Sequence, residues 1–253
     1  MKRVAVLAGA GAALLLLPLA GILQRAPWST IAAELAAPEA RAALRLSLVC
    51  SAGALAVAIA LGLPLAWVLA RAAFPGRSLL RTLVTLPMVL PPVVGGVGLL
   101  AVFGRRGFLG AHLGSIPGFP LPFTTAGVVL AQAFVAMPFL VVAAEAGLRQ
   151  LDRRYEDAAA TLGARPWHRF RTVTVPLVAP SLVAGAALAW ARALGEFGAT
   201  VTFAGSLPGR TRTLPTAIYA GLQSRPESAV ALSVVLLAVS LTVLIGLRGR
   251  WLG

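Results

Sequence analysis

Apolar runs long enough to cross a bilayer recur along this chain, at residues 4–23, 46–70, 82–103, 123–144, 174–203 and 229–247. Hydrocarbon supplies no hydrogen-bond partner to a peptide group, so a lipid-crossing segment must satisfy its own backbone, as a helix or within a closed barrel. Runs of about 20 residues fit the helix; a barrel strand needs only about 10, in alternation. The expectation is an all-α polytopic membrane protein with six transmembrane helices. Charged residues make up 12% of the chain, about half the usual share in soluble domains.

The first run follows Lys2 and Arg3 and has the outline of a secretory signal. Its apolar stretch exceeds the usual ~7–15 residues of a signal centre, and further spans follow, so it reads as a retained helix. Residues 24–45, 104–122 and 205–227 read as polar connections. The second run is expected to kink near Gly62-Leu63-Pro64, and the third carries Pro87, Pro91, Pro92, Gly95, Gly96 and Gly98. That third run has two readings. Its freed carbonyls serve a bundle interior or a water-lined path, or its small residues simply let helices pack closely. The chain reads as one membrane domain, 1–253, without internal repeats.

A net charge of +14 raises the question of nucleic acid. The basic residues sit at the ends of apolar runs, as membrane topology requires, so no nucleic-acid partner is expected. Six spans put both termini on one side. Thirteen of the 22 Lys and Arg residues then share that side, including Arg71, Arg77, Arg81, Arg149, Arg153, Arg154 and Arg165, with nine on the other. The excess predicts cytoplasmic termini. Cys50 is the lone cysteine and His112 and His168 are the only histidines, a poor basis for a disulfide framework or a metal site. Lys2 is the only lysine, so the chain has no phosphate loop of the G-x-x-x-x-G-K-[ST] type. Any ATP hydrolysis belongs to another subunit, and no catalytic residue, cofactor or metal is assigned to this chain.

Between the fourth and fifth runs, residues 149–172 carry charges that a bilayer core would not accept. Leu151, Tyr155, Ala158 or Ala159, and Leu162 recur at helical spacing. Gly163 and Pro166 then stop that helix, and Trp167 and Phe170 begin a short amphipathic turn. At 1.5 Å per residue the helix is about 16 Å long, half the hydrocarbon thickness, so it lies along the membrane face. A second unusual stretch places Arg192 and Glu196 four residues apart within the fifth run, among Gly195, Phe197 and Gly198. Ionisable groups at membrane depth face an interior or an aqueous path, so the pair is either a gate or a buried structural ion pair.

The run Asp157-Ala158-Ala159, three residues, Gly163, nine residues, then Val173-x-Val175-Pro176 resembles the Glu-Ala-Ala loop of ABC importer membrane subunits. Asp157 stands at the acidic position, with Glu156 beside it as an alternative. The resemblance extends through Leu86-Pro87-Met88-Val89-Leu90-Pro91-Pro92, Phe103-Gly104-Arg105-Arg106-Gly107, Ala193-Leu194-Gly195-Glu196-Phe197-Gly198-Ala199-Thr200 and Thr213-Leu214-Pro215-Thr216. These stretches look like molybdate permease subunits. Sulfate permeases are similar but usually carry Tyr and Ser where this chain has Phe197 and Ala199.

The resemblance implies a type I ABC importer permease fold in the bacterial inner membrane, with a cytoplasmic coupling helix between helices 4 and 5. It implies alternating-access import of molybdate, with tungstate as a similar passenger. The implied partners are a second copy of the chain, an ATP-binding subunit that holds ATP and Mg, and an extracytoplasmic oxyanion-binding protein. The implied ATPase-coupling residues are Tyr155, Glu156, Asp157, Ala158, Ala159, Leu162, Gly163, Ala164, Arg165, Trp167 and Phe170. A translocation path or gate would involve Pro91, Pro92, Arg192, Gly195, Glu196, Phe197 and Gly198. The alternatives are a sulfate or thiosulfate permease of the same superfamily, and an ion-coupled transporter or channel that needs no ATPase.

Overall fold

The computed structural model describes residues 1–113, 119 and 121–251, and the side chains of Lys2, Leu113 and 247–251 are not among what it describes. Part of the connection expected at 104–122 therefore lies outside the described residues, as do the side chains of Arg248, Arg250 and Trp251 at the basic end. Among the described residues the regular structure is entirely helical. Five helices are long and apolar enough to cross a membrane, and a sixth span is formed if one sharply bent pair counts as a single crossing.

Helix α1 covers Lys2–Gln24 and the short α2 covers Ile31–Ala36. The second span starts earlier than its apolar run suggests, with Pro38 at the first turn of α3 (Pro38–Val57). Pro at that position lacks only an N–H that would be unpaired anyway. Glu39, Arg41 and Arg45, expected in a connection, thus lie in the helix. The expected kink takes the form of a π turn over Ala58–Gly62 that runs into α4 (Leu63–Arg71). Pro64 cannot donate to the ladder, and a widened turn absorbs the mismatch without ending the span.

The third run does break. Helix α5 (Arg77–Val89) and α6 (Pro92–Phe103) meet at 116° across Leu90 and Pro91. A one-turn α7 (Gly110–Leu113) follows. Helix α8 (Thr125–Gln150) starts at Thr124, whose hydroxyl accepts the Gly127 N–H at 3.0 Å. It is the most deeply buried span, and α3, α4 and the later α11 pack along it. Beyond it lie α9 (Arg153–Thr161), α10 (Pro166–Arg169) and a π turn over Phe170–Thr174.

Helix α11 (Val175–Leu194) stops nine residues before the expected end of the fifth run. A separate α12 (Gly198–Phe203) follows after a break at residues 195–197. The connection expected at 205–227 contains α13 (Leu214–Ser224), and α14 (Pro226–Trp251) closes the chain.

Small residues set the distance between α8 and α11. A Cβ placed on Gly185 would fall 2.7 Å from Cβ of Ala143 and 3.4 Å from Cα of Leu140. The nearest atom, Cβ of Ala143, is fixed to its backbone and cannot swing aside. We expect Gly185→Ala to destabilise the protein by about 1–3 kcal/mol, the usual cost of overpacking. Gly9→Ala, with nothing within 4 Å of the new atom, should leave thermal unfolding in detergent unchanged.

Candidate functional site

Two places concentrate polar chemistry: the bracket formed by α9 and α10 at one end of the bundle, and the elbow where α6 meets α12 in its interior.

The bracket is built by local signals. Asp152 opens α9, its carboxylate accepting the Arg154 N–H at 2.9 Å. Gly163 closes it with φ +81°, where a side chain would be strained. The Gly163 N–H donates to the Ala160 carbonyl at 2.9 Å and the Ala164 N–H to that of Ala159 at 3.0 Å, the pair of bonds that seals a helix C-terminus. Pro166 then starts α10 in a new direction.

One side of α9 faces the spans. Glu156 Oε2 lies 3.1 Å from Arg71 Nη2 at the end of α4. Its Oε1 accepts the Thr174 hydroxyl at 2.6 Å, from the buried last residue of the π turn that leads into α11. The Arg71 guanidinium sits 5.8 Å from the Trp67 ring centroid, within cation–π range. Trp67 meets Phe170 edge-on at 5.3 Å, and Phe170 stacks on Trp167 at 5.4 Å. Beneath, a cleft of about 810 Å³ runs between α4, α11 and the bracket. The opposite side has no cover: Tyr155 is 58% exposed, Trp167 71% and Leu162 88%, with Asp157, Ala158 and Arg165 beside them. Clustered large apolar side chains outside the bundle, rimmed by charge, are of the kind that marks protein or membrane interaction surfaces.

The structure therefore divides the expected coupling residues in two. Tyr155, Asp157, Ala158, Leu162, Gly163, Arg165 and Trp167 are exposed, Asp157 and Trp167 at the rim of the cleft, whereas Glu156, Ala159, Ala164 and Phe170 are half-buried against the bundle. Of the two acids left open by the sequence, Glu156 is half-buried and paired with the spans, and Asp157 is exposed at the rim of the cleft. Arg71, Trp67 and Thr174 escaped the sequence reading, because Arg71 counted only toward topology and the others lay inside apolar runs. A third ion pair was also missed. Glu145 of α8, 6% exposed, takes the Arg81 guanidinium of α5 on both carboxylate oxygens and has Arg149 at 3.6 Å. Its i,i+4 relation to Arg149 was the available signal.

The elbow answers the two readings of the third run together. Pro91 and Pro92 lack N–H groups, so the ladder of α5 ends with Leu90 donating to Leu86 at 3.0 Å. The glycines beyond the break then let α6 lie against α12: a Cβ on Gly96 would fall 2.7 Å from Thr202 Cβ, and one on Gly198 would fall 3.0 Å from Pro92 Cβ. Glu196 braces this corner. Its Oε1 accepts the Ala199 N–H at 2.7 Å, capping α12, and its Oε2 pairs with Arg192 Nη1 at 2.6 Å. Glu196 is buried while Arg192 is partly open to solvent. Phe197 packs on Tyr219 at 5.1 Å between centroids, a contact across the chain that sequence spacing does not show. Gly195, at the end of α11, is exposed. Arg192, Glu196, Gly198 and Pro92 thus form one constellation.

Residues 58–252 match the sequence profile described as the binding-protein-dependent transport system inner membrane component. The chain is 46% identical over 241 residues to the molybdenum transport system permease protein ModB of Mycobacterium tuberculosis, covering 95% of this chain and 91% of that protein. It is 37% identical over 239 residues to the sulfate transport system permease protein CysT of Escherichia coli, covering 93% and 86%. In fold it is similar to a chain from the crystal structure of a bacterial alginate ABC transporter in complex with its alginate pentasaccharide-bound periplasmic protein, with a TM-score of 0.76, 98% and 94% coverage and 17% identity.

The two bonds of Glu196 separate by substitution. Glu196→Gln keeps an oxygen for the Ala199 N–H but strands Arg192, whereas Glu196→Ala loses both. Breaking a buried pair costs about 3–5 kcal/mol when the charge left behind is buried. Arg192 is 28% exposed, so the loss is smaller here, and losing the bond to the Ala199 N–H adds about 1 kcal/mol. Thermal unfolding in detergent should rank wild type above Gln above Ala.

Proposed function

The chain belongs to the family of inner-membrane components of binding-protein-dependent transport systems, and from that membership we propose that it is the translocation subunit of an ATP-driven importer for molybdate. The observation that carries the coupling half of this reading is the bracket. Tyr155, Leu162 and Trp167 stand bare on one side of it, while Glu156 and Phe170 bind it to the spans on the other. A surface of this kind is suited to receive movement from a separate motor protein. Support for molybdate over sulfate comes from the higher identity to the molybdenum permease at comparable coverage, together with Phe197 and Ala199.

In this reading residues 1–253 form one membrane domain and work as a pair of identical chains. Two ATP-binding subunits dock on the outward residues of the two brackets, ATP and Mg being held by those subunits. An extracytoplasmic binding protein delivers the oxyanion. Both termini and the bracket face the cytoplasm, as the distribution of arginines supports. ATP binding draws the brackets together and tilts the spans from inward- to outward-facing. A motor drives such a change only by preferring one state, and shifting 1:99 to 99:1 takes about 5.5 kcal/mol. The elbow at Pro91, Pro92, Glu196 and Gly198 is the proposed gate region. Two spans break there, and broken backbone at membrane depth belongs beside protein or a water-filled path.

The coupling reading is tested at the bracket. Gly163→Pro demands φ near −65° where the helix closure needs +81° and removes the N–H given to Ala160. Asp157→Lys reverses a charge on the outward surface. In proteoliposomes containing the ATPase and the binding protein, both variants should insert normally yet lose molybdate uptake per ATP hydrolysed by about tenfold or more. Unchanged coupling in both, or uphill uptake driven by an ion gradient without the ATPase, would exclude the motor-driven reading. A reporter at the C-terminus should be active as green fluorescent protein and inactive as alkaline phosphatase; the reverse would refute the orientation.

A further inference from the structure

We infer that Arg71 and Thr174 are positioning residues that transmit movement, with Glu156 as the strut between them, so that the two neighbouring acids of the bracket have different jobs. Asp157 meets the motor and Glu156 passes its movement to the spans. The inference rests on the coupling reading above and assigns the step after docking.

The geometry that carries it is the convergence of two spans on one carboxylate. Arg71 is the last residue of α4, and Thr174 sits at the base of α11. One oxygen of Glu156 accepts the Thr174 hydroxyl at 2.6 Å, and the other forms an ion pair, without a hydrogen bond, with Arg71 Nη2 at 3.1 Å. Both spans pack on α8, so a carboxylate fixed to both moves them as a unit. The Arg71 and Glu156 side chains are only 13% and 19% exposed. Shielded from water and salt, such a pair holds more firmly than a surface one. Trp67, under the guanidinium, and Phe170, edge-on to Trp67, limit the swing of the arginine.

Without the strut, α9 is joined to the spans through Leu151–Asp152 on one side, the Gly163 turn on the other, and one long hydrogen bond of 3.5 Å from Arg169 to the Glu156 carbonyl. A push on the outward surface would rotate the helix about those two turns rather than tilt α4 and α11. The strut converts a local displacement into a rigid-body one, as coupling between sites requires a discrete physical link that both of them bias.

The test uses the assembled transporter in proteoliposomes, reading ATPase association, ATP hydrolysis and molybdate uptake separately. Arg71→Gln should leave association and basal hydrolysis as in wild type while uptake per ATP falls about tenfold, an ordinary size for a coupling between sites. Thr174→Val should act in the same direction and less. Arg71→Lys, which keeps the charge, should recover at least half the loss, and so should the exchange Arg71→Glu with Glu156→Arg. Asp157→Lys is the contrasting arm and should weaken association itself. Normal uptake per ATP in Arg71→Gln overturns the strut even if Asp157→Lys behaves as a docking defect. A defect in Arg71→Gln that neither Arg71→Lys nor the exchange relieves also overturns it, since the arginine would then act outside the pair. Normal association and uptake in Asp157→Lys and Gly163→Pro would instead defeat the docking reading on which the strut depends.

Discussion

A peptide group in hydrocarbon must find its hydrogen-bond partner within the protein, and the arrangement of this bundle follows from how its interruptions meet that demand. Where Pro64 disturbs the second span, the ladder widens into a π turn and continues. Where Pro91 and Pro92 remove two donors in succession, no widening suffices and the chain turns through 116°. The corner then has to be covered. Helix α12 lies against it, through contacts that tolerate no Cβ at Gly96 and leave little room for one at Gly198. The fifth run is interrupted between α11 and α12, α12 packs on α6, and Glu196 holds the first turn of α12 by accepting the Ala199 N–H.

Glu196 and Glu156 apply the same chemistry at different depths. Each carboxylate divides its two oxygens between an arginine and a second donor, and so ties together elements that would otherwise separate. At the elbow the second donor is a backbone N–H and the result is a fixed corner. At the bracket it is a hydroxyl at the base of another span, and the result joins a surface helix to two transmembrane ones. Glu145, held by Arg81 of α5 and close to Arg149, adds a third such knot along α8. The buried charge is compensated in each case, as the cost of an unpaired one requires.

These knots were only partly readable in advance. Arg192 and Glu196 are four residues apart on one helical run, so their pairing followed from spacing. Glu156 and Asp157 differ by a single position, and spacing alone did not decide which would be held against the spans. The partners that decide it, Arg71 and Thr174, lie 85 and 18 residues away from Glu156. No local period links them. Phe197 with Tyr219 and Arg81 with Glu145 are hidden for the same reason. The limits of the spans were less legible than their number, because apolarity continues through Gly195-Glu196-Phe197 while the backbone does not.

By itself the sequence determined that the chain is helical and membrane-embedded, that a short helix lies across one end of the bundle, and where that helix stops. These outcomes follow from local physics: runs of about 20 apolar residues, a glycine free to take positive φ and a proline that cannot donate. The start at Arg153, two residues after Leu151, came only with the structure. Only the tertiary structure decided which side of α9 is bare, how the third and fifth runs break and meet, and which arginine each carboxylate holds. Those choices depend on contacts between residues far apart in the chain, where packing rather than spacing sets the distance.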